Sequence, residues 1–150
     1  MEKKKAILID IDGTISDLSH RLHYVKPIDG GKKNWPLFYA EMGNDTVKRY
    51  CVELCNSMLQ SGCACIFVTA RPDSHRLVTD MWLRHVAGMT HFTLFMRGAE
   101  DYRPAPVIKK EIYEKQIAPL GYDVLFSIDD DPAVVDMWKS LGIASLEIRR

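Results

Sequence analysis

Short apolar runs alternate with stretches of helical periodicity along the chain. The runs are rich in β-branched residues and end in polar residues, which is typical of buried strands in a parallel sheet. Five strands are predicted, at about residues 5–10, 64–69, 92–96, 124–128 and 144–148. Strands that alternate with helices indicate an α/β fold, with a parallel sheet of about five strands and helices on both faces.

Four helices are predicted between these strands, at about residues 46–61, 73–86, 107–117 and 132–141. Asp45 and Asp131 are candidate N-caps, because a carboxylate accepts hydrogen bonds from the first free amides of a helix. The second helix is expected to have one apolar side, formed by Leu77, Val78, Met81, Trp82 and His85. Residues 11–44 contain a glycine pair and two prolines, so long regular elements are not expected there.

The chain has 150 residues, a length that fits a single domain. Its 20 Lys and Arg residues equal its 20 Asp and Glu residues, which argues against tight nonspecific binding to long nucleic acids. No apolar run approaches the ~20 residues of a membrane span. The apolar run that follows the basic residues 3–5 is too short for a signal peptide. We therefore expect a cytoplasmic protein without a membrane partner.

The four cysteines are Cys51, Cys55, Cys63 and Cys65. Their Cys-x3-Cys and Cys-x-Cys spacings are poor for a zinc cluster, so buried free thiols are expected. Paired carboxylates elsewhere in the chain suit Mg²⁺ better than a metal that prefers thiolates.

Two carboxylates stand one residue apart where the first predicted strand ends, in the sequence Asp10-Ile11-Asp12-Gly13-Thr14. Open α/β sheets bind their ligands at the carboxyl ends of their strands. Two carboxylates this close repel each other unless a cation lies between them or one is protonated. The motif therefore predicts a metal site and acid/base chemistry, although Asp-Gly is also a common turn pair.

Three further polar motifs follow predicted strands or lie in the first turns of a helix. They are Thr69 with Arg71, Lys109 or Lys110, and Asp129-Asp130-Asp131. Because parallel strands end at one edge of a sheet, all four motifs could meet in one crevice. Phosphoryl transfer needs such carboxylates, hydroxyls and cations, since its transition state spreads negative charge over three oxygens.

In this order, the four motifs resemble the signature of the haloacid dehalogenase (HAD) superfamily phosphatases, and the resemblance covers essentially the whole chain. Within that superfamily, the chain is most similar to the 3'-phosphatase domain of phage-type polynucleotide kinase/phosphatase. This narrower resemblance rests on residues 69–71, 101–104, 107–109, 117–119, 127–130, 134–138 and 141–142. It implies a Rossmann-like sheet in one domain, residues 1–150, with a small cap or lid at about residues 17–43.

The resemblance implies a role for each motif. Asp10 would attack phosphorus and become an aspartyl phosphate, and Asp12 would act first as general acid and then as general base. Thr69 would donate a hydrogen bond to a phosphoryl oxygen. The family register selects Lys109 as the lysine that offsets phosphoryl charge and keeps Asp10 ionised.

The resemblance also implies a metal and substrate contacts. Mg²⁺ would be held by Asp10, the backbone carbonyl of Asp12, Asp129 and Asp130. The expected substrate-binding residues are Arg71, Gly13 and Arg103. Asp131 stands where relatives often carry arginine, which weakens the case for a polyanionic substrate. No Gly-x4-Gly-Lys-Ser/Thr loop occurs in the sequence, so the kinase activity of bifunctional relatives is not expected.

The leading hypothesis is a Mg²⁺-dependent phosphomonoesterase that removes a 3'-phosphate from a nucleotide or a nucleic-acid end. A 5'-nucleotidase or general small-molecule phosphatase is an alternative on the same scaffold, and a noncatalytic phosphate-binding scaffold is another. The short cap segment implies an open site. Its aromatic residues Trp35, Phe38 and Tyr39 are expected to anchor the segment to the core rather than to stack on a base.

Overall fold

A computed structural model describes residues 2–149 and has a five-stranded parallel sheet at its centre. Its strands are β1 (Lys5–Ile9), β4 (Ala64–Pro72), β5 (Thr93–Arg97), β6 (Asp123–Asp129) and β7 (Ser145–Glu147), while β2 (Ser16–Asp17) and β3 (Thr46–Val47) form a separate antiparallel pair. The order across the large sheet is β5-β4-β1-β6-β7. The predicted α/β fold is confirmed, and β1 lies at its centre.

Helices cover both faces of the sheet. They are α2 (Arg49–Gln60), α3 (Arg76–His85), α4 (Ala105–Ile112) and α5 (Pro132–Ser140), whereas α1 (Trp35–Ala40) lies away from the sheet, between β2 and β3 in the chain. Side chains alternate across a strand, so Ile7 and Ile9 of β1 pack against α2 and α3, whereas Ala6 and Leu8 pack against α4 and α5. The four cysteines are free thiols and all are buried. Within residues 2–149, no helix has the length and hydropathy needed to span a membrane.

Residues 18–45 form an insertion whose two ends are joined by the β2–β3 pairing. Within it lie two 3₁₀ turns, Ser19–Tyr24 and Met42–Asn44, and the six-residue α1, so the prediction of only short elements is confirmed. Leu18, Val25 and Phe38 form a small apolar cluster inside the insertion. Phe38 therefore packs inside the insertion rather than against the core of the sheet, and Trp35 remains 45% exposed.

The apolar side predicted for α3 is wrong except at Trp82. The structure leaves Leu77, Val78, Met81 and His85 exposed and buries Thr79, Trp82 and Leu83. The Trp82 indole donates a hydrogen bond to the Asp45 carbonyl at 2.9 Å. The Thr79 hydroxyl accepts one from the Arg71 guanidinium at 3.2 Å. These buried polar contacts set the rotation of the helix, and apolar periodicity does not report them.

The predicted caps have different outcomes. Asp45 does not cap α2, which begins at Arg49 behind Lys48. Asp131 does cap α5, because its Oδ1 accepts a hydrogen bond from the Ala133 amide at 2.9 Å.

We expect Asp131→Ala to lower the free energy of unfolding by about 1 kcal/mol, because the Ala133 amide then loses its capping acceptor. Urea denaturation monitored by circular dichroism measures this loss. Asp136→Ala is the matched control, since Asp136 is an exposed carboxylate on the same helix. Its effect should stay within about 0.5 kcal/mol. Equal losses for the two variants would contradict the capping role.

Candidate active site

Asp10 lies directly after β1, at the edge of the sheet where the parallel strands end. β4 and β5 lie on one side of β1, and β6 and β7, which follow later in the chain, lie on the other side. Such a reversal of the strand order is the point at which α/β sheets bind ligands. The Asp10 amide donates to the Ile128 carbonyl of β6 at 3.0 Å, which holds the motif against that strand. Gly13 then turns the chain away with φ 83°, a conformation that favours glycine. The Thr14 hydroxyl is thereby placed to donate to Asp10 Oδ2 at 2.9 Å.

The buried ammonium group of Lys109 joins the first and last acidic motifs. Lys109 Nζ lies 2.8 Å from Asp10 Oδ1 and 2.7 Å from Asp129 Oδ2. Lys110 points elsewhere, because its side chain is half exposed and pairs with Glu114. The structure therefore brings Lys109, rather than Lys110, to the carboxylates.

Three carboxylates form a compact group beside this lysine. One oxygen from each of Asp10, Asp129 and Asp130 lies within 4.8 Å of the others. A set made only of oxygen donors suits Mg²⁺. With Lys109, the ionised group carries a net charge of about −2, which a divalent cation would balance. The residues present therefore fit the predicted metal.

Burial and charge shift the ionisation of this group. Burial raises the pKa of Asp10 to about 7, although the charge of Lys109 acts in the opposite direction. Burial and the Asp10 charge together raise the pKa of Asp129 to about 6. Burial alone would lower the pKa of Lys109, but the charges of the two carboxylates hold it above its usual range. Lys109 therefore remains charged, while both carboxyls titrate near neutral pH.

The Asp12 carboxylate is not part of this group and binds two arginines. Arg71 donates to it from Nη2 (2.7 Å to Oδ1) and from Nε (3.0 Å to Oδ2), and Arg21 Nη2 lies 2.5 Å from Oδ1. Burial alone would raise the pKa of Asp12, but Arg71 and Arg21 hold it well below its usual range. Asp12 is therefore ionised at neutral pH.

Arg21 and Asp45 complete this second cluster, and the sequence analysis identified neither of them as a site residue. Asp45 is fully buried and accepts hydrogen bonds from Arg21 Nε and Nη2, each at 2.7 Å. Arg71 Nη2 lies 3.4 Å from Asp45 Oδ2. Two carboxylates thus balance two guanidinium groups. No periodicity marks Arg21, and Asp45 lies just before a helix, so its position favoured the incorrect interpretation as a cap.

The remaining predicted site residues have different positions. Thr69 is buried at the same edge of the sheet, and its hydroxyl accepts a hydrogen bond from the Arg71 amide at 3.1 Å. The Gly13 carbonyl accepts one from Lys48 Nζ at 2.8 Å. Arg103 lies at the surface and pairs with Asp101 and Glu111 rather than with any carboxylate of the cluster. The structure therefore gives no contact between Arg103 and the other site residues.

Comparison with known proteins connects this geometry to one family. The family model described as "Polynucleotide kinase PNKP phosphatase domain" matches residues 4–150. A solved Pnkp1/Rnl/Hen1 complex contains a chain that is 26% identical, with a TM-score of 0.80. The match covers 99% of this chain and 47% of that one, so this chain spans about half the length of its relative. A second chain, from a Pnkp1/Rnl/Hen1 RNA repair complex, matches at 26% identity and TM-score 0.79, covering 98% of this chain and 43% of that one.

A more distant structure shares the fold. It is the class C acid phosphatase from Bacillus anthracis with tungstate bound, which is 18% identical with a TM-score of 0.67. That match covers 99% of this chain and 68% of the phosphatase. Nearly the whole of this chain thus shares its fold with that protein.

We expect Asp45→Asn to lower the free energy of unfolding by about 3–5 kcal/mol, because it leaves two buried guanidinium groups with only the charge of Asp12 to balance them. Thermal and urea denaturation measure the loss. Asp80→Asn is the matched control, since Asp80 pairs with Arg84 at the surface. That change should cost less than about 1 kcal/mol. Similar losses for both variants would contradict a structural role for the second cluster.

Proposed function

The chain belongs to the family of polynucleotide kinase PNKP phosphatase domains, and from this premise we propose that it removes a 3'-phosphate from nucleotides or nucleic-acid ends. Membership in this family confirms the resemblance to HAD phosphatases, which are phosphoric monoester hydrolases. The proposal adds three finer points: an aspartyl-phosphate intermediate, dependence on Mg²⁺, and the 3' position of the phosphate.

The position of Asp10 carries the proposal. Its carboxylate is held by Thr14 and Lys109 at the carboxyl edge of the sheet, so it can approach phosphorus in one fixed orientation. In the proposed first step, an Asp10 oxygen bonds to phosphorus while the bond from phosphorus to the leaving oxygen breaks. Water then attacks the phosphorus of the aspartyl phosphate while the bond from phosphorus to the Asp10 oxygen breaks, so inorganic phosphate is released and the Asp10 carboxylate is regenerated.

Asp12 is the proposed proton carrier for both steps. Arg71 and Arg21 keep it ionised, so it must take up a proton from solvent before it can act as an acid. A bound phosphate dianion adds negative charge nearby, and such a charge raises the pKa of a carboxyl group. The proton then passes from Asp12 to the leaving oxygen. Once the alcohol product has left, the ionised Asp12 accepts a proton from the attacking water.

Mg²⁺ would be held by Asp10, Asp129, Asp130 and the backbone carbonyl of Asp12. When bound, it supplies positive charge that stabilises the oxygens of the transferring phosphoryl group. Lys109 adds a second positive charge from the protein. The Thr69 hydroxyl accepts from the Arg71 amide, so its own proton can be donated to a phosphoryl oxygen.

A phosphatase that acts on small phosphate esters is the second candidate. Asp131, which caps α5 beside the acidic cluster, favours it, because an arginine there would add positive charge for a polyanionic substrate. Phosphate release from a 3'-phosphorylated oligonucleotide, a nucleoside 3'-phosphate and a nucleoside 5'-phosphate distinguishes the two candidates. Equal kcat/KM for the 3' and 5' esters would contradict the 3'-phosphatase proposal.

We expect Asp10→Asn to reduce phosphate release by roughly 10⁴-fold or more, because an amide is a poor nucleophile. Rapid acid quenching followed by mass spectrometry should detect a phosphorylated protein with wild type and none with the variant. Asp136→Asn is the control, because Asp136 is an exposed carboxylate on α5. A phosphoenzyme that persists in Asp10→Asn would exclude Asp10 as the nucleophile.

We expect millimolar Mg²⁺ to raise the thermal midpoint by several degrees at pH 8 and by much less at pH 5. Without a cation, ionisation of Asp10 and Asp129 disfavours the folded state as pH rises from the ordinary carboxyl pKa of 3.8 to about 7, because burial raises both pKa values on folding. Mg²⁺ competes with protons for the same oxygens, so its effect grows over this range.

Asp130→Asn tests this assignment by calorimetry, since Asp130 is only partly buried and its loss should spare the fold. The variant should lose most of the Mg²⁺-dependent shift. An identical shift at both pH values, or in Asp130→Asn, would contradict Mg²⁺ binding at the acidic cluster.

A further inference from the structure

A cavity of about 410 Å³ opens beside Asp12, between the end of β4 and the insertion. Its floor includes Asp12 and Arg71, and its walls include Leu22, Phe38, Tyr39 and Trp35. We propose that this cavity binds the ribose and base of the terminal nucleotide, with Trp35 as the stacking surface. The proposal deepens the phosphatase function argued above and rests on it.

The position of Asp12 sets the direction of the leaving group. An acid that protonates a leaving oxygen must lie within hydrogen-bond reach of that oxygen. The carbon atom attached to the leaving oxygen, and the rest of the leaving group, must then lie in the space next to Asp12. Asp12 lines the cavity, whereas Asp10, Lys109 and Asp129 do not. The phosphoryl group therefore belongs on the side of the acidic cluster, and the organic part of the ester belongs in the cavity.

The size and surface of the cavity suit a nucleoside. Cavities of a few hundred Å³ hold ligands of this size, and their walls are mostly apolar with a few polar groups. Trp35 is 45% exposed, and its indole ring stacks on Tyr39 with 5.9 Å between ring centroids and 27° between planes. Tyr39 in turn stacks on His75, which follows β4 in the chain, with 5.2 Å between ring centroids. This support holds the Trp35 ring in place, which reduces the entropy lost when a base stacks on it.

Two lysines at the rim indicate where the rest of a bound nucleic-acid strand would extend out of the cavity. Lys26 and Lys33 line it and both are exposed, and Lys33 Nζ lies over the face of the Trp35 ring, 5.7 Å from its centre. Positive charge at the rim attracts the next phosphate of a polynucleotide, and a sugar phosphate has no such group. The cavity therefore fits the 3'-terminal nucleotide of a nucleic-acid strand.

The test compares kcat/KM for a nucleoside 3'-phosphate with kcat/KM for glycerol 2-phosphate, whose leaving group is too small to reach Trp35. Trp35→Ala should lower the ratio of these two values by about tenfold, because base stacking on an aromatic side chain is lost. Trp35→Phe keeps an aromatic face and should retain most of the ratio. Leu77→Ala should leave the ratio unchanged, since Leu77 is an exposed apolar residue that does not line the cavity. In addition, Lys33→Ala should weaken turnover of a 3'-phosphorylated oligonucleotide more than turnover of the mononucleotide.

A binding measurement covers the case in which Trp35→Ala does not fold. Trp82 and Trp138 are each 2% exposed, so a base should quench chiefly the fluorescence of Trp35. In the Asp10→Asn variant, a nucleoside 3'-phosphate should quench this fluorescence and inorganic phosphate should not. Equal quenching by both, or an unchanged kcat/KM ratio in Trp35→Ala, would overturn the cavity assignment and leave the phosphatase reaction intact. Wild-type protein that hydrolyses none of the esters would instead overturn the proposed function itself.

Discussion

Mutual repulsion of carboxylates is the constraint on which this site depends. Asp10 and Asp129 lie within 4.8 Å of each other, and two such charges repel by about 3–4 kcal/mol at the effective dielectric constant typical of proteins. The fold places them together because β1 and β6 are neighbours that end at the same edge. Lys109 reaches both from α4 and offsets the repulsion. Burial is the main cause of the raised pKa values of both carboxyls, and the charge of a neighbouring carboxylate adds to it.

A second group of charges holds the insertion to the sheet. The apolar cluster within the insertion is small, whereas Arg21 and Asp45 from the insertion are buried against Arg71 of β4 and against Asp12. Pairs of this kind contribute little net stability compared with apolar residues, but they tolerate few alternative arrangements. The insertion is therefore held in one position relative to Asp12, and the shape of the adjoining cavity depends on that position.

The sequence could predict the strands and the carboxylates because each signal is local. An apolar run followed by Asp marks β1 and β6 within about ten residues, and the end of a parallel strand places that Asp at the shared edge. Helical spacing is compatible with both Lys109 and Lys110, so the choice of Lys109 depended on the position of the lysine in the family's motif. Arg21 and Asp45 could not be found in this way. Their pairing joins residues 24 apart, and the contact of Arg71 with Asp12 joins residues 59 apart. The same cluster orients Thr79 and Trp82, and so the rotation of α3 was also missed.

Asp12 links the acidic cluster to the arginine cluster. Its backbone belongs to the motif that carries Asp10, while its side chain belongs to the arginine cluster that holds the insertion. A displacement of the insertion would therefore change the cavity and weaken the contact between Arg21 and Asp12 at the same time. Weaker pairing raises the pKa of a carboxylate, so substrate fit and the ionisation of the proposed proton carrier are physically coupled. In this arrangement, a substrate in the proposed cavity would also act on the group that would protonate its leaving oxygen, whereas the side-chain hydrogen bonds of Asp10, Lys109 and Asp129 involve no residue of the insertion.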